Sequence, residues 1–149
     1  MNTTTRILVV EDFKSHRHLI GSLLGRNPSL DVIAEASDGE EGVTLAQQLT
    51  PDLILLDIGL PKLNGLEVAR QISALVPSAK IVFFTQERDV DIVRIAFILG
   101  AWGFVLKQDA EPDLLKAVNS VREGVRFVSR GLANVSASSF ESAVEDVMP

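Results

Sequence analysis

Glu11 with Asp12, then Asp57, Thr85 and Lys107, each follow on or close a short apolar run. The runs are Ile7-Leu8-Val9-Val10, Leu53-Ile54-Leu55-Leu56, Ile81-Val82-Phe83-Phe84 and Phe104-Val105-Leu106. Alone, each polar residue reads blandly: Asp57 as a loop carboxylate, Thr85 as a turn or N-cap residue, Lys107 as a solvated strand end. Together they read differently. Three gathered carboxylates repel one another unless a cation intervenes. A hard oxygen donor set with no imidazole or thiolate suits Mg²⁺. A carboxylate is also a nucleophile toward a phosphoryl group, and a metal ion screens the approach of an anionic donor. Lys107 adds a fixed positive charge and Thr85 a hydroxyl that can bond a phosphoryl oxygen. The chemistry this set suits is phosphoryl transfer to an aspartate.

The elements that must position these residues alternate in a βα rhythm. After the first run, Leu19, Ile20, Leu23 and Leu24 recur at helical spacing between Phe13 and Gly25. Residues Asp31 to Ala36 form a more polar strand, expected at a sheet edge. A helix from Asp38 to Leu49 stops before Pro51. Helices are expected from Leu66 to Leu75, from Val90 to Leu99 with Gly100 as cap, and from Pro112 in a first turn to Gly124. Five strands and five helices in strict alternation imply an α/β fold, a doubly wound five-stranded parallel sheet. In such sheets ligands bind beyond the carboxyl ends of the strands, where strand order reverses. Glu11, Asp12, Asp57, Thr85 and Lys107 should therefore meet at one edge. Residues 1–124 are read as the folded unit and 125–149 as a tail or linker, with a candidate short helix around Ser139 to Val147.

Composition narrows the function. The 149 residues carry a net charge of −6 and no cysteine, which excludes disulfides and thiolate metal sites and suits a cytoplasmic setting. No basic stripe is visible, and after Arg130 the only charges are Glu141, Glu145 and Asp146, so this chain is not expected to bind nucleic acid directly. The apolar runs are strand-sized, so no membrane span is expected. His16 and His18, two apart on a helix, do not share a face and read as solvated. Trp102 reads equally as a partner anchor or a half-packed surface aromatic.

The motifs Leu8-Val9-Val10-Glu11-Asp12, Pro51 to Asp57, Gly59-Leu60-Pro61 with Asn64-Gly65-Leu66-Glu67, Phe83-Phe84-Thr85 and Gly100 to Lys107 occur in that order. In these the chain resembles the receiver domain of bacterial response regulators, a flavodoxin-like (βα)₅ fold, over residues 6 to 124. It is most similar to the subfamily with a C-terminal helix-turn-helix, because Gln108-Asp109 rather than proline follows Lys107. The segment Gly124 to Ser129 points the same way. The resemblance implies Asp57 as phosphoacceptor, served by a sensor histidine kinase. It implies Mg²⁺ held by Asp12, Asp57 and the Gly59 carbonyl, with Glu11 acting through water. Thr85 and Lys107 would bind phosphoryl oxygens. Thr85 and Phe104 would move together as a switch that reshapes the surface of the fourth helix, fifth strand and fifth helix. A phosphorylation-dependent homodimer is expected, and no enzymatic activity beyond slow loss of the phosphoryl group.

Other readings fit less well. A phosphatase with a strand-end Asp nucleophile would need a second acid where Gly59 stands, and a flavodoxin phosphate loop would not read Glu11-Asp12-Phe13-Lys14. A phosphorylation-independent interaction module would lack some of the acids kept here. A stand-alone receiver and a fragment of a longer DNA-binding regulator both remain consistent with the sequence. Gln86 departs from the small residue usual beside the switch threonine, where it borders the route to the acceptor. Wild-type phosphoprotein is therefore expected to lose its phosphoryl group more slowly than Gln86→Ala; faster loss from wild type, followed by intact mass, contradicts the blocking role.

Overall fold

The computed structural model describes residues 4–132. Its strands and helices run β1 (Thr5–Val10), α1 (Lys14–Leu24), β2 (Leu30–Ala36), α2 (Gly39–Leu49), β3 (Leu53–Leu56), α3 (Gly65–Leu75), β4 (Lys80–Thr85), α4 (Val90–Ile98), β5 (Gly103–Leu106), α5 (Ala110–Arg122) and β6 (Phe127–Val128). All pairs are parallel, in the order β2-β1-β3-β4-β5-β6. The polar strand β2 lies at an edge, as its composition implied. The sheet has six strands and not the expected five.

The apolar runs form central strands because both of their faces are covered. Successive side chains point to opposite sides. Ile7, Val9, Leu53, Leu55, Val82, Phe84 and Val105 pack with Ile20, Leu23 and Leu24 of α1 and Leu114, Val118 and Val121 of α5. The intervening Leu8, Val10, Ile54, Leu56, Ile81, Phe83, Phe104 and Leu106 pack with α2, α3 and α4 through Val43, Ala46, Val68, Ile72, Val93 and Phe97. Every residue of Ile7–Val10 and Leu53–Leu56 is at most 1% exposed. A strand buried on both faces can show its chemistry only where it ends.

Side chains at the loop exits fix where the helices start. Asp38 accepts from the Glu41 amide, Asn64 from Glu67 and Asp89 from Asp91, each capping a helix N-terminus. The Glu41 amide, chief among its contacts, holds the Asp38 carboxyl below its ordinary range. After α4 the chain turns through Gly100 at φ 105°, a left-handed conformation that favours glycine.

The sixth strand is short because it is an appendage to β5. Gly103 pairs with Phe127 and Phe104 with Val128. Beyond it, Asp109 accepts from the Ser129 hydroxyl and from the Gly131 amide at 2.8 Å. Buried Asp113 accepts from the Arg130 amide at 2.8 Å and its guanidinium at 3.1 Å. Trp102 is half-buried with two cations on its ring, the Lys80 ammonium at 4.6 Å and the Arg126 guanidinium at 4.3 Å. Among the described residues no helix is long and apolar enough to cross a membrane. The candidate helix around Ser139 to Val147 lies outside the described residues.

Candidate phosphoacceptor site

The ladder runs one residue past each central strand. The Glu11 amide donates to Ala36 O at 2.9 Å, and the Asp57 amide to Val10 O at 3.1 Å. These bonds set Glu11 and Asp57 side by side at the carboxyl edge, on the two strands flanking the switch point. Helix α3 then starts tight against Asp57. The Gly65 amide donates to Ile58 O at 2.8 Å, and a Cβ on Gly65 would lie 2.0 Å from the Asp57 carbonyl oxygen, so only glycine fits.

The structure brings the expected residues together. One ligand oxygen from each of Glu11, Asp12 and Asp57 lies within 4.8 Å of the others. Glu11 is 1% exposed and Asp57 6%. The Lys107 ammonium sits 2.8 Å from Asp57 Oδ2 and 2.6 Å from Glu11 Oε1. Phe13, Asp57, Gly59, Thr85, Gln86 and Lys107 are among the residues lining a cavity of about 230 Å³. The Gly59 amide donates to Asp57 Oδ1 at 3.3 Å, so this loop already wraps the carboxylate. Gln86 is exposed at the cavity wall, where an access residue would have to be. Phe104 is fully buried and tilts against Phe83 at 5.9 Å between ring centroids.

Among the buried carboxylate oxygens of the cluster, Asp12 Oδ1 has no hydrogen-bond partner, while Glu11 Oε1 is held by the Lys107 ammonium at 2.6 Å. Orphaned buried acceptors are rare because each costs its desolvation. Asp12 Oδ1, beside Asp57, is an oxygen a hard divalent cation would take up, with Glu11 near enough to reach it through water, so the residues present fit Mg²⁺. Burial also pushes the Glu11 carboxyl above its ordinary value, against the lowering effect of Lys107 and the Phe13 amide.

Two nearby residues escaped the sequence reading. Arg17 donates to the carbonyls of Glu11 at 2.8 Å and Asp12 at 3.1 Å, tying down the turn after β1. His16, expected to be solvated, is 29% exposed and places Nδ1 2.9 Å from the Lys107 ammonium and 3.4 Å from Glu11 Oε1. His18 is exposed, as expected. The available signal was position: residues 16 and 17 fall in the first turn of α1, one turn beyond the acidic pair.

A doubly wound parallel sheet with an acid cluster at its switch point and a lysine after β5 defines a class of phosphoryl-signalling modules. The sequence profile of the response regulator receiver domain matches residues 7–119, and the chain belongs to that family. It is 37% identical over 136 residues to the nitrate/nitrite response regulator protein NarL of Escherichia coli (strain K12), a match covering 91% of this chain and 63% of NarL. It is 31% identical over 144 residues to the transcriptional regulatory protein LiaR of Bacillus subtilis (strain 168), covering 97% of this chain and 68% of LiaR. The chain thus spans roughly two thirds of the length of these two relatives. The crystal structure of a LuxR-family two-component response regulator from Aurantimonas sp. SI85-9A1 superposes with a TM-score of 0.84 at 32% identity, covering 98% of this chain and 100% of that one.

A raised carboxyl sets a sign for stability. The folded state favours protonated Glu11, so the stability this group contributes is present in full below its ordinary 4.5 and lost as pH rises through the raised value. Glu11→Gln, which mimics the protonated form, should raise the metal-free melting temperature at pH 8. The rise should be about 2–4 °C for each kcal/mol relieved, with a smaller gap at pH 5. Added Mg²⁺ should stabilise wild type more than the variant. A metal-free Glu11→Gln that melts below wild type at pH 8, by calorimetry, contradicts this reading of the pocket.

Proposed function

We propose that this receiver accepts a phosphoryl group on Asp57 from a sensor histidine kinase, with Mg²⁺ held by Asp12, Asp57, the Gly59 carbonyl and, through water, Glu11. The observation that carries this reading is the buried cluster of three carboxylates with a lysine ammonium 2.8 Å from Asp57. An Asp57 carboxylate oxygen attacks phosphorus. The new O–P bond forms as the donor's bond to phosphorus breaks, and the bonding pair leaves with the donor. A divalent cation held by these residues would supply charge neutralisation between the two anions. Lys107 and Thr85 then bond the phosphoryl oxygens.

The same geometry supports a switch. Thr85 ends β4 at the pocket wall, and Phe104 lies beside β4 on the α4 side of the sheet. Movement of Thr85 toward the phosphoryl group frees space that Phe104 can enter, which alters the α4-β5-α5 surface. That surface is the proposed contact for a second copy of the chain, and, in a longer cytoplasmic regulator, for a DNA-binding output domain. The chain itself works as a switch rather than as a catalyst on an external substrate.

Wild type incubated with acetyl phosphate and Mg²⁺ should gain one phosphoryl mass, and Asp57→Asn none. Equal gain in both moves the acceptor elsewhere. No gain in wild type, with Gln86→Ala also silent, favours a module that signals without phosphate.

A further inference from the structure

We propose that His16 is a positioning residue for the pocket lysine: its Nδ1 accepts a hydrogen bond from the Lys107 ammonium and holds that ammonium at the acceptor while its other neighbours change partners. The functional consequence rests on Asp57 being the phosphoacceptor; the hydrogen bond itself does not.

The Lys107 side chain is 9% exposed, so its ammonium depends on protein acceptors. An ammonium has three N–H donors and no acceptor. Two directed bonds are present, to Asp57 Oδ2 at 2.8 Å and to His16 Nδ1 at 2.9 Å. The third neighbour, Glu11 Oε1, lies 2.6 Å from the ammonium as a buried ion pair. Because lysine can only donate, the proposed bond needs the lone pair on His16 Nδ1, which also lies 3.4 Å from Glu11 Oε1. The ring is braced by Phe13, which meets it edge-on at 5.2 Å between centroids and 66° between planes.

The three neighbours of Lys107 differ in what they can keep doing. Glu11 and Asp57 belong to the carboxylate cluster suited to a cation, and Asp57 would also carry the phosphoryl group. Both must redirect oxygens when the site is loaded. His16 belongs to neither role and stays available. A neutral imidazole also orients the ammonium without cancelling its charge, leaving that charge for the phosphoryl oxygens. His16 further lines a cavity of about 470 Å³ with Gln86, Leu106, Lys107 and Gln108.

The test has a spectroscopic arm and a kinetic arm, both on the full chain. In ¹⁵N-histidine-labelled protein at pH 8, the His16 Nδ1 resonance should lie in the unprotonated range, displaced by an accepted hydrogen bond. It should relax to a free imidazole position in Lys107→Met. A protonated Nδ1, or a resonance indifferent to Lys107→Met, overturns the proposal. In Mg²⁺-dependent acetyl phosphate labelling, His16→Leu removes the acceptor and should slow the rate about tenfold, the low end of the worth of one hydrogen bond to a charged group. His16→Asn places an amide oxygen where Nδ1 stands and should restore most of the rate. Wild-type rates in His16→Leu, or no rescue by His16→Asn when both variants melt like wild type, overturn the positioning role. If neither wild type nor Gln86→Ala labels, the phosphoacceptor reading fails and the spectra alone decide the hydrogen bond.

Discussion

Glu11, Asp12 and Asp57 repel one another at the carboxyl edge of the sheet, and the folded chain holds them together against that repulsion. Lys107 offsets part of the negative charge, and Asp12 Oδ1 is left without a hydrogen bond. Such an arrangement is stable only because something larger fixes the backbone. The two apolar layers on either side of the sheet do so, with β1 and β3 buried along their lengths and free to present polar groups only at their ends. The energy of the core is what holds the crowded carboxylates of this pocket in place. Positions where stability is sacrificed locally in this way are where function is expected.

The loops around the pocket follow from the same constraint. Gly65 admits α3 hard against the Asp57 carbonyl, Arg17 clamps the two carbonyls after β1, and the Gly59 amide already faces the Asp57 carboxylate. Thr85 and Lys107 reach the pocket from β4 and β5, whose far sides pack on α4 and α5. Under the proposed function, a change at Asp57 would have a short physical route to the α4-β5-α5 surface through Phe104.

Most of the fold was legible because the buried strands are near-continuous runs of Val, Ile, Leu and Phe, while the helices carry a 3.6-residue stripe ended by Gly or Pro. The site was legible for a related reason: polar residues closing such runs must collect at one edge. The sixth strand was not, since Phe127-Val128 is two residues long and pairs only with β5, and the chain just beyond it is anchored on Asp109 and Asp113 by bonds that no local pattern announces. His16 was missed because helical spacing was asked whether it pairs with His18, when its partner is a lysine 91 residues away. Contacts of that range come from topology and not from periodicity.

The most direct measurement is a Mg²⁺ titration of the ¹⁵N-labelled chain followed by amide chemical shifts. The expected result is saturable movement centred on Glu11, Asp12, Asp57 and Gly59, abolished in Asp12→Asn. Shifts that are absent, or that spread over exposed acids such as Glu40 and Glu41 while the pocket amides stay still, would contradict the claim that the buried carboxylate cluster is built to receive a cation.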